Sequence, residues 1–276
     1  MKSISTKSLF FALPVAALLV ATSCKKDTIE PQDETPAPSG PSYSIPTTYN
    51  FSNVSYTTST THIAMLAEMT GYIRSTHTTT QTTQPTLNAQ KLKDMYANAA
   101  SQFTTTGLSA SGIQLKDQTS NVASLQTILE ASYDDAATTS TFAAATPTTQ
   151  SASSGVAGKL ISPSRAILVD ANGLEYKELT EKGLMGAVLY YQATTILTNI
   201  ATYDNTTLVG GTTAQEKAWD EAFGYFGVPI DFPTNLTGLK NWGSYCNSVN
   251  TAIGSNATMM NAFLKGRAAI TNKDNT

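Results

Sequence analysis

Three carboxylates crowd into one short stretch, Glu216, Asp220 and Glu221, with Trp219 between them and Tyr225 one turn further on. On a helix, Glu216 and Asp220 are four residues apart and share a face, where like charges repel unless a cation joins them. Two chemistries fit that spacing. In one, the acids hold a metal or a polar ligand, with Trp219, Glu221 and Tyr225 at its edge. In the other, a cation from the last helical stretch, Lys265 or Arg267, pairs with Asp220 inside the protein. No histidine accompanies the acids, and carboxylates alone make a poor transition-metal set. Glu216, Trp219, Asp220, Glu221, Tyr225 and Arg267 are therefore the candidate ligand-binding residues. No residue carries a catalytic assignment, and no metal ligand set or cofactor follows from the sequence.

The other chemistry-bearing residues are sparse. His62 falls in the first turn of a helical pattern, six residues before Glu68, whereas the common helical ligand spacing is i, i+4. His77, in a polar run, reads as a solvated loop residue. Of the two cysteines, Cys246 lies far from both histidines in sequence and reads as a small buried side chain rather than a nucleophile.

Cys24 belongs to a different pattern. Lys2 and Lys7 precede an apolar run, Leu9 to Val20, and Ala21-Thr22-Ser23 places small residues ahead of Cys24. This resembles a bacterial lipoprotein signal, which implies cleavage after Ser23 and lipid attachment at Cys24. The apolar run falls short of the roughly 20 residues that span a bilayer. The implied destination is the cell envelope, as an outer membrane lipoprotein facing the periplasm or the surface, with the membrane as a partner through the anchor. Removing residues 1–23 takes away Lys2 and Lys7 and leaves 15 basic against 20 acidic side chains, a net charge of −5. Nucleic acid is excluded as a partner on that balance.

The elements that must position these residues read as helices. Residues 24–48 are polar and carry Pro31, Pro36, Pro38, Pro41 and Pro46, a composition that forms a disordered tether. The helical domain is expected over 49–276. Phe51, Val54 and Tyr56 alternate as in a short extended segment, and a helix capped by Thr60 or Thr61 then buries Ile63, Leu66, Thr70 and Ile73. Leu87 to Ala100 and Asn121 to Ala136 predict two more amphipathic helices, the latter with Val122, Leu125, Ile128, Leu129 and Ser132 on its face. Thr138 to Gly155 reads as a mobile surface loop, and Arg165 to Asp170 as an extended piece.

Glu175 to Ala201 predicts the longest helix, apolar on two sides and therefore central, with Gly183 and Gly186 marking a close backbone crossing. Thr213-Ala214-Gln215-Glu216 matches a capping box, starting a helix that Gly227 and Pro229 end after Phe226. Trp242 to Cys246 reads as an aromatic loop plugging the end of the domain, and a last helix begins at Asn256 or Thr258. The fold class is all-α, a helical bundle with long polar loops.

Tyr49-Asn50-Phe51, Met65 to Met69, Lys182 to Gly186, Trp219 to Pro229 and Phe263 to Ile270 together resemble the DUF4856 lipoproteins of Bacteroidota. That resemblance brings no activity with it. It implies that the chain is an N-terminal portion, truncated at its C-terminus. A more distant similarity to imelysin-like envelope proteins, helical bundles associated with iron uptake and once classed as peptidases, implies the same fold. Their Gly-x-His-x-x-Glu motif matches neither His62 nor His77. The expected function is that of a lipid-anchored binding or accessory module, in metal or nutrient acquisition, for an unknown ligand or envelope protein. The alternatives are an imelysin-like metal-dependent hydrolase and a structural surface lipoprotein.

Overall fold

The structure is a computed structural model that describes residues 42–77, 85–120, 122–145, 149–162 and 165–274. Cys24, the signal-like segment and most of the expected tether lie outside the described residues. Residues Tyr43–Thr276 form one compact unit, which begins ahead of the expected Tyr49. Tyr43 donates to Asp274 at 2.9 Å and Ile45 packs on apolar residues.

The unit is all-α apart from one hairpin. Its elements are α1 (Thr57–Arg74), α2 (Ala89–Tyr96), α3 (Val122–Ala144), β1 (Gly158–Ser162), β2 (Arg165–Val169), α4 (Tyr176–Leu184), a π-helical segment Met185–Tyr190, α5 (Tyr191–Thr198), α6 (Ala214–Phe226), α7 (Asn241–Ile253) and α8 (Ser255–Thr271). Two apolar clusters hold it together. One gathers Met65, Leu66, Met69 and Ile73 of α1 with Leu92 and Met95 of α2, Leu129 and Tyr133 of α3, and Leu184 and Val188 further along. The other joins Tyr49 to Phe223 and Phe226 of α6 and to Met260, Phe263 and Leu264 of α8. Helix α1 packs against α6 on one side and α4 on the other.

The expected stripe of α1 is buried as its spacing demands, Ile63, Leu66, Thr70 and Ile73 each being at most 7% exposed. Its start is not at Thr60 or Thr61. The helix opens at Thr57, and its own N-cap, Tyr56, supplies no side-chain bond. Tyr49 to Tyr56 form no strand; Tyr49 instead donates its amide to Ile230 and stacks on Phe223 at 3.7 Å. Helix α2 is shorter than its pattern. Asn88 caps it through the Lys91 amide, and it ends where Asn98, Ala100 and Ser101 take left-handed backbone angles. Asn98 stabilises that turn by donating to the Ile113 and Leu108 carbonyls.

Helix α3 runs eight residues past Ala136, through the first part of the stretch read as a mobile loop. Hydroxyls explain the difference. Thr138, Ser140 and Thr141 donate to carbonyls within the same helix, so they do not end it. Ser140 and Ala143 are buried, and Ser140 also accepts from the Leu87 amide. On the expected face Leu129 and Ser132 are buried, but Ile128 is 55% exposed; the Val122 side chain lies outside the described residues. The extended piece at Arg165 is β2, paired antiparallel with β1 from Gly158↔Val169 to Ser162↔Arg165.

The long helix is one continuous run from Tyr176 to Thr198, widened in its middle by the π-helical segment. Its first half is central, with Leu184, Met185, Val188 and Leu189 buried; α5 buries no residue completely. The expected close crossing at Gly183 and Gly186 is absent. A Cβ at Gly186 would meet nothing within 4 Å, and one at Gly183 would only touch Leu129 at 3.8 Å. Close approaches occur elsewhere. A Cβ at Gly224 would collide with Ser59 and Tyr56 of the chain entering α1, and one at Gly266 with the Trp219 ring. The residues read as an aromatic plug are helical too. They form α7, where Gly243 lies against Val228 and the Gly227 carbonyl, and Trp242 donates to the Met185 carbonyl at 3.1 Å. Gly254, with φ +64, then turns the chain into α8.

Candidate functional site

Helix α6 is built as its sequence dictates. Thr213 accepts from the Glu216 amide at 3.2 Å while Glu216 accepts from the Thr213 amide at 2.9 Å, and Gly227 ends the helix with φ +74. This fixes Glu216 and Asp220 on one face, toward α8. There Arg267 donates from Nε to Asp220 Oδ1 at 2.8 Å and from Nη1 to Glu216 Oε1 at 2.7 Å. Thr271 joins both Arg267 and Glu216, and the Tyr49 hydroxyl donates to Asp220 at 2.8 Å. Of the two cations considered for Asp220, the structure uses Arg267; Lys265 is exposed.

The cluster is almost dry. Asp220 is 0% and Arg267 1% exposed. Burial pushes the Asp220 carboxyl above its usual range, against the pull of Arg267 and the Tyr49 hydroxyl. Glu216 moves the other way: burial opposes its charge, but the Thr213 amide, the Thr271 hydroxyl and Arg267 outweigh it and lower its pKa. Asp220 Oδ2 is buried and has no hydrogen-bond partner among the described residues. Two carboxylates face one guanidinium here, and the Tyr49 hydroxyl, the Thr213 amide and the Thr271 hydroxyl supply the further donors.

The remaining candidates have internal partners as well. Glu221 accepts from the Thr58 and Ser59 amides, at 3.1 and 2.8 Å, so it caps α1 from a distance of more than 160 residues along the chain. Trp219 donates to the Phe263 carbonyl at 3.0 Å and covers Gly266. Tyr225 meets His62 Nδ1 at 2.8 Å, and His62 Nε2 meets the Gln114 carbonyl at 3.0 Å. A carbonyl only accepts, so Nε2 carries the proton. Burial pushes His62 down to about 4, so the ring is neutral near pH 7 and Nδ1 accepts from the Tyr225 hydroxyl. Burial likewise raises Tyr225 above its ordinary value. His77 is not a solvated loop residue. It is half-buried, accepts from the Leu168 amide at 3.4 Å, and is held near 4 by burial and by the cations Arg74, Arg165 and Lys177. Cys246 is half-buried, with its thiol 3.6 Å from Asn256 Oδ1.

Open space lies beside this cluster. Glu216 and Arg267 border a polar crevice of about 570 Å³ with Leu208 and Lys273. A larger groove of about 880 Å³ runs along the solvent side of α1, from Tyr56 and Thr60 past Gly71 to Arg74. Its far wall is the end of α6 and the chain around Pro229, Leu239 and Lys240. Among the described residues, no group of three or more His, Cys, Asp or Glu side chains is arranged to hold a metal ion, and no helix is long and apolar enough to cross a membrane.

Fold and site together define an all-α domain with a buried Arg-carboxylate lock and a separate open groove along α1. The chain belongs to the DUF4856 family, a domain of unknown function, whose model matches residues 46–276. No curated protein and no solved structure matches it.

The groove was not anticipated from the sequence. Its signal was Gly71, a glycine inside an otherwise regular helical pattern. Arg74 and Lys240 had no signal at all, because only the fold places the end of α1 and the residue before α7 on one groove.

Proposed function

We propose that the protein is a lipid-anchored binding module of the cell envelope, held at the outer membrane through Cys24 and receiving its ligand in the groove along α1. The groove carries this reading: its volume lies within the range of ordinary ligand sites, while the candidate acids on α6 are engaged with one another's partners. The membrane half rests on the charged, apolar and small-residue order that ends at Cys24. Nutrient capture suits this better than metal capture, since the described residues offer no metal ligand set. An imelysin-like hydrolase lacks support in the same way, because His62 and Tyr225 are buried, neutral and bonded to each other.

Two measurements test the proposal. Cys24→Ala should move the protein from the membrane to the soluble fraction and abolish labelling by a fatty acid; a variant still bound to membranes removes the anchor. Hydrogen exchange on the mature protein, with and without a panel of random octapeptides, oligosaccharides and divalent metals, should show slowed exchange along α1 and residues 237–241 with at least one class. Protection only at other elements would remove the groove as the binding site.

A further inference from the structure

The groove is longer than a compact metabolite needs. Thr60 and Arg74 both line it, and fourteen helical steps separate them by about 21 Å. Six residues of extended polypeptide cover about 20 Å. The four charged side chains on its walls divide into two kinds. Glu68 is committed, accepting from the Thr104 amide at 2.5 Å, the Thr104 hydroxyl at 2.9 Å and the Thr105 amide at 3.1 Å. Glu181 is paired with Lys177 and Lys182. Arg74 and Lys240 are exposed, and neither side chain makes a hydrogen bond or ion pair among the described residues. Those neutral donors leave Glu68 its negative charge but hold it in place, and with Glu181 balanced by its lysines, Arg74 and Lys240 leave the walls with one net positive charge.

Gly71 adds a second argument. It is exposed in the last turn of α1, and nothing lies within 4 Å of where its Cβ would be. No internal contact requires a glycine there, and alanine would favour the helix. What the glycine supplies is a bare strip of wall, between Ala67 and Arg74, on which another backbone can lie.

We infer that the groove takes an extended, acidic polypeptide segment, its main chain lying along α1 past Gly71 and its carboxylates meeting Arg74 and Lys240. This rests on the groove being the ligand site. A saccharide of equal length is a poorer match, because sugar faces stack on aromatic rings and, among the described residues, Tyr56 alone lines the groove with one.

The test uses three labelled octapeptides, alanine alternating with glutamate, glutamine or lysine, titrated by fluorescence anisotropy against the mature protein. The glutamate peptide should bind about tenfold tighter than the glutamine peptide at low salt, as two half-exposed ion pairs provide, and the lysine peptide weakest. High salt, or Arg74→Gln with Lys240→Gln, should erase the preference. Gly71→Phe should block all binding, with unchanged far-UV circular dichroism as the check that it folds, and Gly71→Ala should weaken binding to a smaller extent. If glutamate and glutamine peptides bind alike and Gly71→Phe blocks both, the acidic preference is overturned and the groove stands. If no peptide binds but an oligosaccharide does and Gly71→Phe blocks it, the ligand class is overturned and the groove stands. If no probe binds, or Gly71→Phe leaves the binding of every probe unchanged, the inference and the groove reading fall together.

Discussion

At the scale of single residues, the Arg267 lock is the most sensitive point in the domain. Removing the guanidinium strands two carboxylates in a dry site, which costs about 3–5 kcal/mol. Arg267→Met should lower stability by that amount in urea unfolding. Asp220→Asn should cost far less, about 1 kcal/mol, because the site already disfavours the charged form of Asp220 and the amide oxygen can keep both of its donors. Equal losses for the two variants would contradict this account. His62 sets a second expectation. Its ring titrates near 4 folded against 6.5 ordinarily, so between those values the unfolded chain binds more protons than the folded one. Its share of stability is complete above about pH 6.5 and drains away as pH falls toward 4, by at most about 3 kcal/mol. His62→Gln should flatten the loss of stability measured between pH 6.5 and 5, even if the variant is weaker at pH 7. The pairing of Glu216, Asp220 and Arg267 was half legible: i, i+4 spacing put the acids on one face, and Arg267 was one of two cations considered. Which cation, and how dry the site is, depend on α8 packing across α6, and no local pattern encodes that.

At the scale of elements, the clearest lesson comes from two helix starts. The start of α6 was readable because a capping box is written within four consecutive residues, Thr213 to Glu216. The start of α1 was not, because its cap is Glu221, which comes to it only when Gly224 lets α6 approach Ser59 and Tyr56 closely. Glu221→Ala should therefore fray the first turn of α1 rather than α6, costing about 1–2 kcal/mol, with faster amide exchange at Thr58 and Ser59 as the readout. The extension of α3 escaped for a related reason. Threonine and serine argue for loops when only propensity is counted, yet here their hydroxyls bond to carbonyls within the helix and Ser140 holds the Leu87 amide. The glycines Gly183 and Gly186 misled in the opposite direction. They weaken a helix whose middle is π-helical, and no neighbouring backbone uses the space they leave.

At the scale of the whole molecule, the fold class was legible and the distribution of its stability was not. Three- and four-residue periodicity announces helices regardless of partners, but burial depends on which faces meet. Helix α5 has no fully buried residue and α7 only Gly243, with Ile253 72% exposed. Amide exchange should accordingly be fastest in α5 and α7 and slowest in α1 and α6; uniform protection would show that cooperativity reaches further than packing does.

The Tyr49, Asp220 and Arg267 contacts join the first residues of the domain to its last described helix. A ribosome delivers these partners in order, and until residue 267 has emerged, Asp220 lacks its cation and Phe223 lacks the ring of Phe263. The second apolar cluster therefore forms only once α8 has been made, through contacts of long sequence separation. A nascent chain with this latch still open leaves Tyr49 and Phe223 uncovered, within reach of any factor that binds unfolded polypeptide, until α8 arrives.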